Sequence, residues 1–221
     1  MILNLDFAET VAVDTISQSW SRSPAKGVWR KPLAREDAER GHATSIVRYD
    51  PGSSFRPHSH PGGEEILVLQ GIFSDEHGDF PAGTYFRNPD GSSHAPFSKE
   101  GCLLLVKLCQ FQHNDRQQLA IRTDRAEWLN REDAAVLPLH QSGHEQVAMV
   151  RLKPGQTLKP LTGIFGDSRF GEELLILRGA LRDDEQDYPK GSWIRRPKAG
   201  HPYLPVEVDT LVWIKTGHLQ P

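Results

Sequence analysis

Cysteine is scarce in this chain of 221 residues: only Cys102 and Cys109 occur. They lie in one strand-like run, where period-2 alternation points them to opposite faces, so no disulfide is expected between them. No C-x-x-C is present, which excludes a zinc cluster built on cysteine. As small apolar fillers, the two thiols suit a reducing, cytoplasmic setting. Positive charge is not in excess either. The 26 Lys and Arg face 29 Asp and Glu, for a formal net charge of -3, so no nucleic-acid footprint is expected. No apolar run reaches the roughly 20 residues of a membrane span. The opening MILNLDFAET is acidic and has no small-residue cleavage site, so no signal peptide is expected. Helical periodicity is nearly missing, and short helical turns are predicted only over residues 34–40 and 128–135, with Asn130 as an N-cap.

The chain does carry an internal repeat. GIFSDEHGDFPAGTYFRNPDGSSH begins at Gly71, and GALRDDEQDYPKGSWIRRPKAGH begins 108 positions later at Gly179. At that offset Asp75 matches Asp183, Pro81 matches Pro189, Gly83 matches Gly191, Arg87 matches Arg195 and Pro89 matches Pro197. IVRYDPG and MVRLKPG match upstream at an offset of 103, so five residues are inserted in the second copy. Runs of Gly and Pro in register indicate duplication. Each copy contains short apolar runs bounded by turn residues, such as Pro61-Gly62-Gly63 and Pro89-Asp90-Gly91. This pattern predicts an all-β protein of two barrels or sandwiches. The expected division is 1–114 and 115–221, with the polar stretch 115–140 as an irregular connection.

The first copy also contains His58-Ser59-His60 followed by Glu64. In a strand, residues two apart share a face, so both imidazoles enter the barrel together and Glu64 follows with the same parity. Ile66 and Val68 continue that inward series, and His94 is expected to arrive from another strand. Three imidazoles and one carboxylate suit Fe²⁺, Mn²⁺, Zn²⁺, Ni²⁺ or Cu²⁺. Parity also favours Glu64 over Glu65, which is expected to face outward or to touch a ligand from behind. Of Arg87 and Asn88, one is expected to face the cavity. In the second copy Leu161-Thr162-Gly163 stands where His-x-His should be, so no transition-metal site is expected there. Glu172 and His201 remain, and a hydrogen-bonded buried pair is expected of them. His42, His77, His113, His140, His144 and His218 are expected on loops or the surface, and Trp29, Trp128, Trp193 and Trp213 in the core.

The frame around these residues resembles the cupin superfamily. Gly52, then His58-x-His60, Glu64 and Gly71 form one motif; Gly83, then Pro89-x-Gly91 and His94 form the other. The departure is Ser98, where the second motif usually ends in Asn. Within cupins the chain is similar to the ChrR-like group, the cupin-like domain of anti-sigma factors. That likeness rests on HSHPGGEE at 58–65, LVLQG at 67–71, FPAG at 80–83 and Arg87-Asn88-Pro89 before His94. It implies two tandem jelly-roll barrels, with a single divalent metal, Zn or Fe first and Mn or Ni next, held by His58, His60, Glu64 and His94.

In that group the barrel binds zinc and takes part in releasing a sigma factor under oxidative stress. Sigma binding belongs there to a separate helical domain with its own His and Cys ligands. No such domain or Cys pair is found here, so the anti-sigma activity is not expected to transfer. Two functions follow. One is a sensor or regulatory module holding zinc, with a regulatory protein as partner. The other is an iron-dependent dioxygenase that takes a small diketone or aromatic ketone in the first barrel. Exposed strand edges predict a homodimer.

Overall fold

The structure, a computed structural model, describes residues 2–37, 41–158 and 170–219. All its regular elements are strands. In chain order these are β1 (Val11–Asp14), β2 (Ser21–Arg22), β3 (Val28–Arg35), β4 (Ala43–Tyr49), β5 (Ser53–Ser54), β6 (His58–Ser59) and β7 (Glu64–Asp75). Next come β8 (Gly78–Pro81), β9 (Thr84–Asn88), β10 (Ser93–His94), β11 (Phe97–Ser98), β12 (Cys102–Leu108) and β13 (Leu119–Arg122). The second half continues with β14 (Leu129–Asn130), β15 (Ala135–Ser142), β16 (Glu145–Leu152), β17 (Glu172–Arg178), β18 (Ala180–Arg182), β19 (Asp187–Pro189), β20 (Ser192–Arg196) and β21 (Thr210–Thr216). Among the described residues no helix is long and apolar enough to cross a membrane.

The duplication is visible in three dimensions. β9 and β20, and likewise β12 and β21, are separated by the 108 positions of the repeat. Two units emerge, one of residues 1–5 and 18–126, the other of 6–17 and 127–221. In the first, the main sheet runs β13-β9-β7-β12-β4-β3-β2, with antiparallel neighbours. In the second it runs β1-β20-β17-β21-β16-β15-β14.

β7 serves two sheets. Its first part pairs with β9 and β12, and its last part with β8 and β11. The corner is Gly71, at φ 72°, where an added Cβ would lie 2.1 Å from the Gly101 carbonyl oxygen. No larger residue fits that corner. Inward positions then follow period 2: Ala43, Ser45, Val47 and Tyr49 on β4, Leu104, Val106 and Leu108 on β12, and Glu64 and Ile66 on β7. Val28, Val47, Tyr49, Ile66, Val68, Phe73, Phe86, Cys102, Leu104 and Val106 form the first core. Each fully buried apolar side chain there contributes about 1.5–3 kcal/mol.

Several expectations are corrected. Ala34 and Arg35 end β3, paired with Thr44 and Ala43, rather than opening a helix; residues 38–40 lie outside the described residues. Leu129 and Asn130 pair with Val136 and Ala135 as β14, so the predicted second helical turn is a strand as well. In both places cross-strand pairing overrides a weak local helical preference. The stretch 115–140 is not plain connection, since it contains β13, β14 and part of β15. A cut at 114/115 would place β1 in the first unit and β13 in the second. Strand pairing places them the other way, β13 beside β9 and β1 beside β20.

Candidate metal centre

His58 stands on β6, paired across to His94 on β10, so their backbones are fixed opposite each other. His60 follows, its N–H bonded to the Ser92 carbonyl at 3.0 Å. Pro61-Gly62-Gly63 then reverses the chain into β7, whose first residue is Glu64. Gly63, at φ 82°, packs so closely on the Phe111 ring that a Cβ would lie 2.2 Å from it. That close approach sets where Glu64 enters.

The four predicted side chains come together: one donor atom from each of His58, His60, Glu64 and His94 lies within 4.8 Å of the others. Glu64 Oε2 is 3.4 Å from His60 Nε2 and 3.5 Å from His94 Nε2. His60, Glu64 and His94 are buried, and His58 is at the more open side. Each Nδ1 faces outward. His58 Nδ1 lies 3.0 Å from the Arg56 carbonyl, His94 Nδ1 3.0 Å from Asp75 Oδ2, and His60 Nδ1 3.0 Å from Ser92 Oγ. A carbonyl and a carboxylate can only accept, so they hold the proton on Nδ1 and leave the Nε2 lone pair pointing inward.

The buried Nε2 atoms of His60 and His94 have no hydrogen-bond partner. An orphaned buried acceptor costs about 1–3 kcal/mol, and two on one point call for a shared electrophile. A divalent ion about 2.0–2.2 Å from each donor answers that need. Three imidazoles and one carboxylate select a transition metal over Ca²⁺ or Mg²⁺. The residues therefore fit the group.

Electrostatics agree. Burial, with the nearby charges of His94 and His58, pushes the His60 imidazole down to about 3. Burial lowers His94 too, against the pull of Asp75. Burial raises the Glu64 carboxyl to about 7, although Asn88 Nδ2 donates to its Oε2 at 3.1 Å. Metal binding must therefore expel a proton at mildly acidic pH. The expected result is release of about one proton at pH 6, fading above pH 8, with affinity falling about tenfold per pH unit below about 7. Calorimetry in buffers of different ionisation enthalpy measures this, and a proton count near zero at pH 6 would contradict it.

The cluster opens onto a cavity of about 730 Å³, within the usual small-molecule range of about 300–1,000 Å³. Its walls are mostly apolar, with Val47, Phe55, Ile66, Phe73, Leu104 and Val106 among them. Of the two doubtful neighbours, Asn88 faces the site and Arg87 the opposite side of the sheet. There Glu65 is buried rather than outward, accepting from Tyr85 Oη at 3.0 Å and Arg87 Nη1 at 3.2 Å. Asp75 and Ser92 were not picked out as supports of the ligands. Asp75 had a signal, its match to Asp183 in the repeat, but nothing local joined it to His94.

The second barrel has a different centre. Asn88 is replaced by Arg196, whose buried guanidinium donates to the Tyr203 hydroxyl, to Tyr188 Oη at 2.9 Å and to Asp183 Oδ2 at 3.1 Å. Glu172, the counterpart of Glu64, lies 3.7 Å from Arg196 Nη1. Here a side chain supplies the cation. Burial raises Glu172 to about 7 despite Gly200 N–H and Arg196. Burial also pushes Asp183 upward, but hydrogen bonds from Gln186 N–H, the Tyr188 phenol, Glu185 N–H and His201 overcome it and hold the carboxyl at about 2. The His201 imidazole pairs with Asp183, at 2.9 Å, and only its backbone N–H reaches Glu172, the partner expected for it. Residues 161–163 lie outside the described residues. Two histidines expected at the surface are buried: His140, and the ring of His218, which is 3.1 Å from Glu173 Oε2. Trp193 and Trp213 are core, whereas Trp29 and Trp128 are half-buried under Arg48 and Arg151.

The model of the ChrR cupin-like domain matches this sequence twice, over residues 8–112 and 116–220. The chain belongs to the ChrR cupin-like family. Its barrels are cupins, and solved structures agree on the fold. A candidate dioxygenase from Nostoc punctiforme superposes with a TM-score of 0.78 at 15% identity, covering 96% of this chain and 84% of that one. Protein YlbA from E. coli gives 0.72 at 13%, covering 98% and 94%. Oxalate decarboxylase from Bacillus subtilis, a protein with Mn(II) centres, gives 0.65 at 14%, covering 95% and 78%. No curated protein matches the sequence.

Proposed function

We propose that the first cupin is a metal-dependent enzyme site, and that with iron it acts as a dioxygenase on a small, largely apolar molecule such as a diketone or aromatic ketone. The observation that carries this reading is the position of the His58, His60, Glu64 and His94 cluster at the wall of the cavity of about 730 Å³. A purely structural zinc site is closed and requires no cavity. Three imidazoles and a carboxylate leave two of six positions of an octahedral ion open. When bound, the metal supplies Lewis acidity and electron transfer. The chain supplies the apolar walls that exclude water, the Asn88 amide that orients Glu64, and the Asp75 carboxylate that orients His94. Among the described residues, Glu64 is the only carboxylate lining the cavity, so no separate general base stands ready for hydrolysis.

Family membership supports a second reading: a zinc-holding sensor that passes a change at the cavity to a regulatory protein. The test is metal analysis of untagged protein, followed by anaerobic loading with Fe²⁺ and oxygen-uptake assays on diketones and aromatic ketones. Oxygen consumed in step with substrate, and lost in His60→Ala, is the expected result. Tight zinc with no uptake across the panel would overturn the enzyme reading in favour of the sensor.

A further inference from the structure

The cavity contains a polar group that the metal cluster does not use. Tyr49 is 5% exposed and lines the cavity, its ring wedged between Phe55 and Phe73 at 5.7 and 5.8 Å between centroids. Among the described residues its hydroxyl has no hydrogen-bond partner, although buried phenols normally find one. Beside it, β3 turns two guanidinium side chains to the cavity. Arg30 pairs with Val47 and Arg35 with Ala43, and a register shift between Pro32 and Ala34 gives both the inward parity. Arg35 Nε donates to the Asp37 carbonyl at 2.6 Å. Among the described residues Glu64 is the only lining carboxylate, and Arg30 and Arg35 bring two guanidinium groups to the same wall. Apolar walls, two guanidinium groups and the Tyr49 hydroxyl donor together suit an amphipathic anion.

We propose that the ligand of the first cupin is a small carboxylate with an apolar body, and that Tyr49 is a specificity-determining residue that donates a hydrogen bond to its head group. Arg30 supplies attracting charge on the same wall, and Phe55, Phe73, Leu104 and Val106 take the body. This rests on the metal-and-cavity reading above.

The test is calorimetric titration of the metal-loaded full chain with naphthoate and with naphthamide, its neutral counterpart of the same shape. Naphthoate is expected to bind at least tenfold tighter. Tyr49→Phe keeps the ring and is expected to weaken naphthoate about tenfold with metal content unchanged, the size of one charge-assisted hydrogen bond. Arg30→Gln is expected to weaken it several-fold and to flatten its salt dependence. Equal affinity for the two probes, no binding of naphthoate, or an unchanged Tyr49→Phe would overturn the proposal while leaving the metal site standing. A wild-type chain that takes up no metal would overturn both. Should Tyr49→Phe fail to fold, the probe ratio in the wild type and Arg30→Gln still decide.

Discussion

His94→Ala will strip the first cupin of stoichiometric metal. Four-ligand sites bind zinc with about 10–16 kcal/mol, so one ligand in four carries roughly 3–4 kcal/mol, two to three orders of magnitude in affinity. His94 is buried, and its Nδ1 is held 3.0 Å from Asp75 Oδ2. Asp75→Asn keeps all four ligands but removes the carboxylate that holds the His94 tautomer. It is expected to lose about 10–100-fold in affinity. Elemental analysis after dialysis against a graded chelator series separates wild type, Asp75→Asn and His94→Ala in that order. Equal metal retention by His94→Ala and wild type would remove this cluster as the metal site.

The other large effect lies in the second cupin. Arg196→Ala removes the guanidinium that Asp183, Tyr188 and Tyr203 share and that Glu172 faces. Breaking a buried pair from one side leaves uncompensated charge and costs about 3–5 kcal/mol, a large part of the roughly 5–15 kcal/mol that holds a domain together. Arg196→Lys will recover only part of this, because a point charge cannot reproduce the planar fork that meets three oxygens. The sign with pH also follows. Burial already raises Glu172 to about 7 against the lowering influence of Arg196; without the guanidinium it rises further, so it weakens the fold as pH rises through that window, and the defect is smaller at pH 5 than at pH 8. Calorimetric melting at both pH values reads this, with the metal content of the first cupin unchanged. A melting profile identical to wild type would mean that Arg196 is not the internal cation described here.

The legible part of the site was the part governed by strand parity. His58, His60 and Glu64 lie within one short stretch, and alternation alone fixes their common side. Asn88, Asp75 and Ser92 act from other strands, and only the cross-strand register brings them to the ligands. Glu65 shows the limit of inside-outside reasoning. Its parity was read correctly, but the other side of the sheet is buried as well, and the carboxylate is satisfied there by Arg87 and Tyr85. In the second copy, the missing His-x-His was readable. The position of the Arg196 guanidinium beside Glu172 and Asp183 was not, since a repeated frame and a changed residue do not reveal where a guanidinium ends. The helical turns failed because ladder pairing outweighs the few tenths of a kcal/mol that separate local propensities.

β1 and β13 are separated by the same 108 positions as the rest of the repeat, yet each closes the sheet built by the other copy. This is the strand pattern of a domain-swapped dimer written into one polypeptide. The leading strand of the second copy, β13, lies along β9, which carries Asn88 to Glu64. Each copy of the repeat therefore lends an edge strand to the other's sheet, and a cut made at the boundary of the sequence repeat would leave both sheets one strand short.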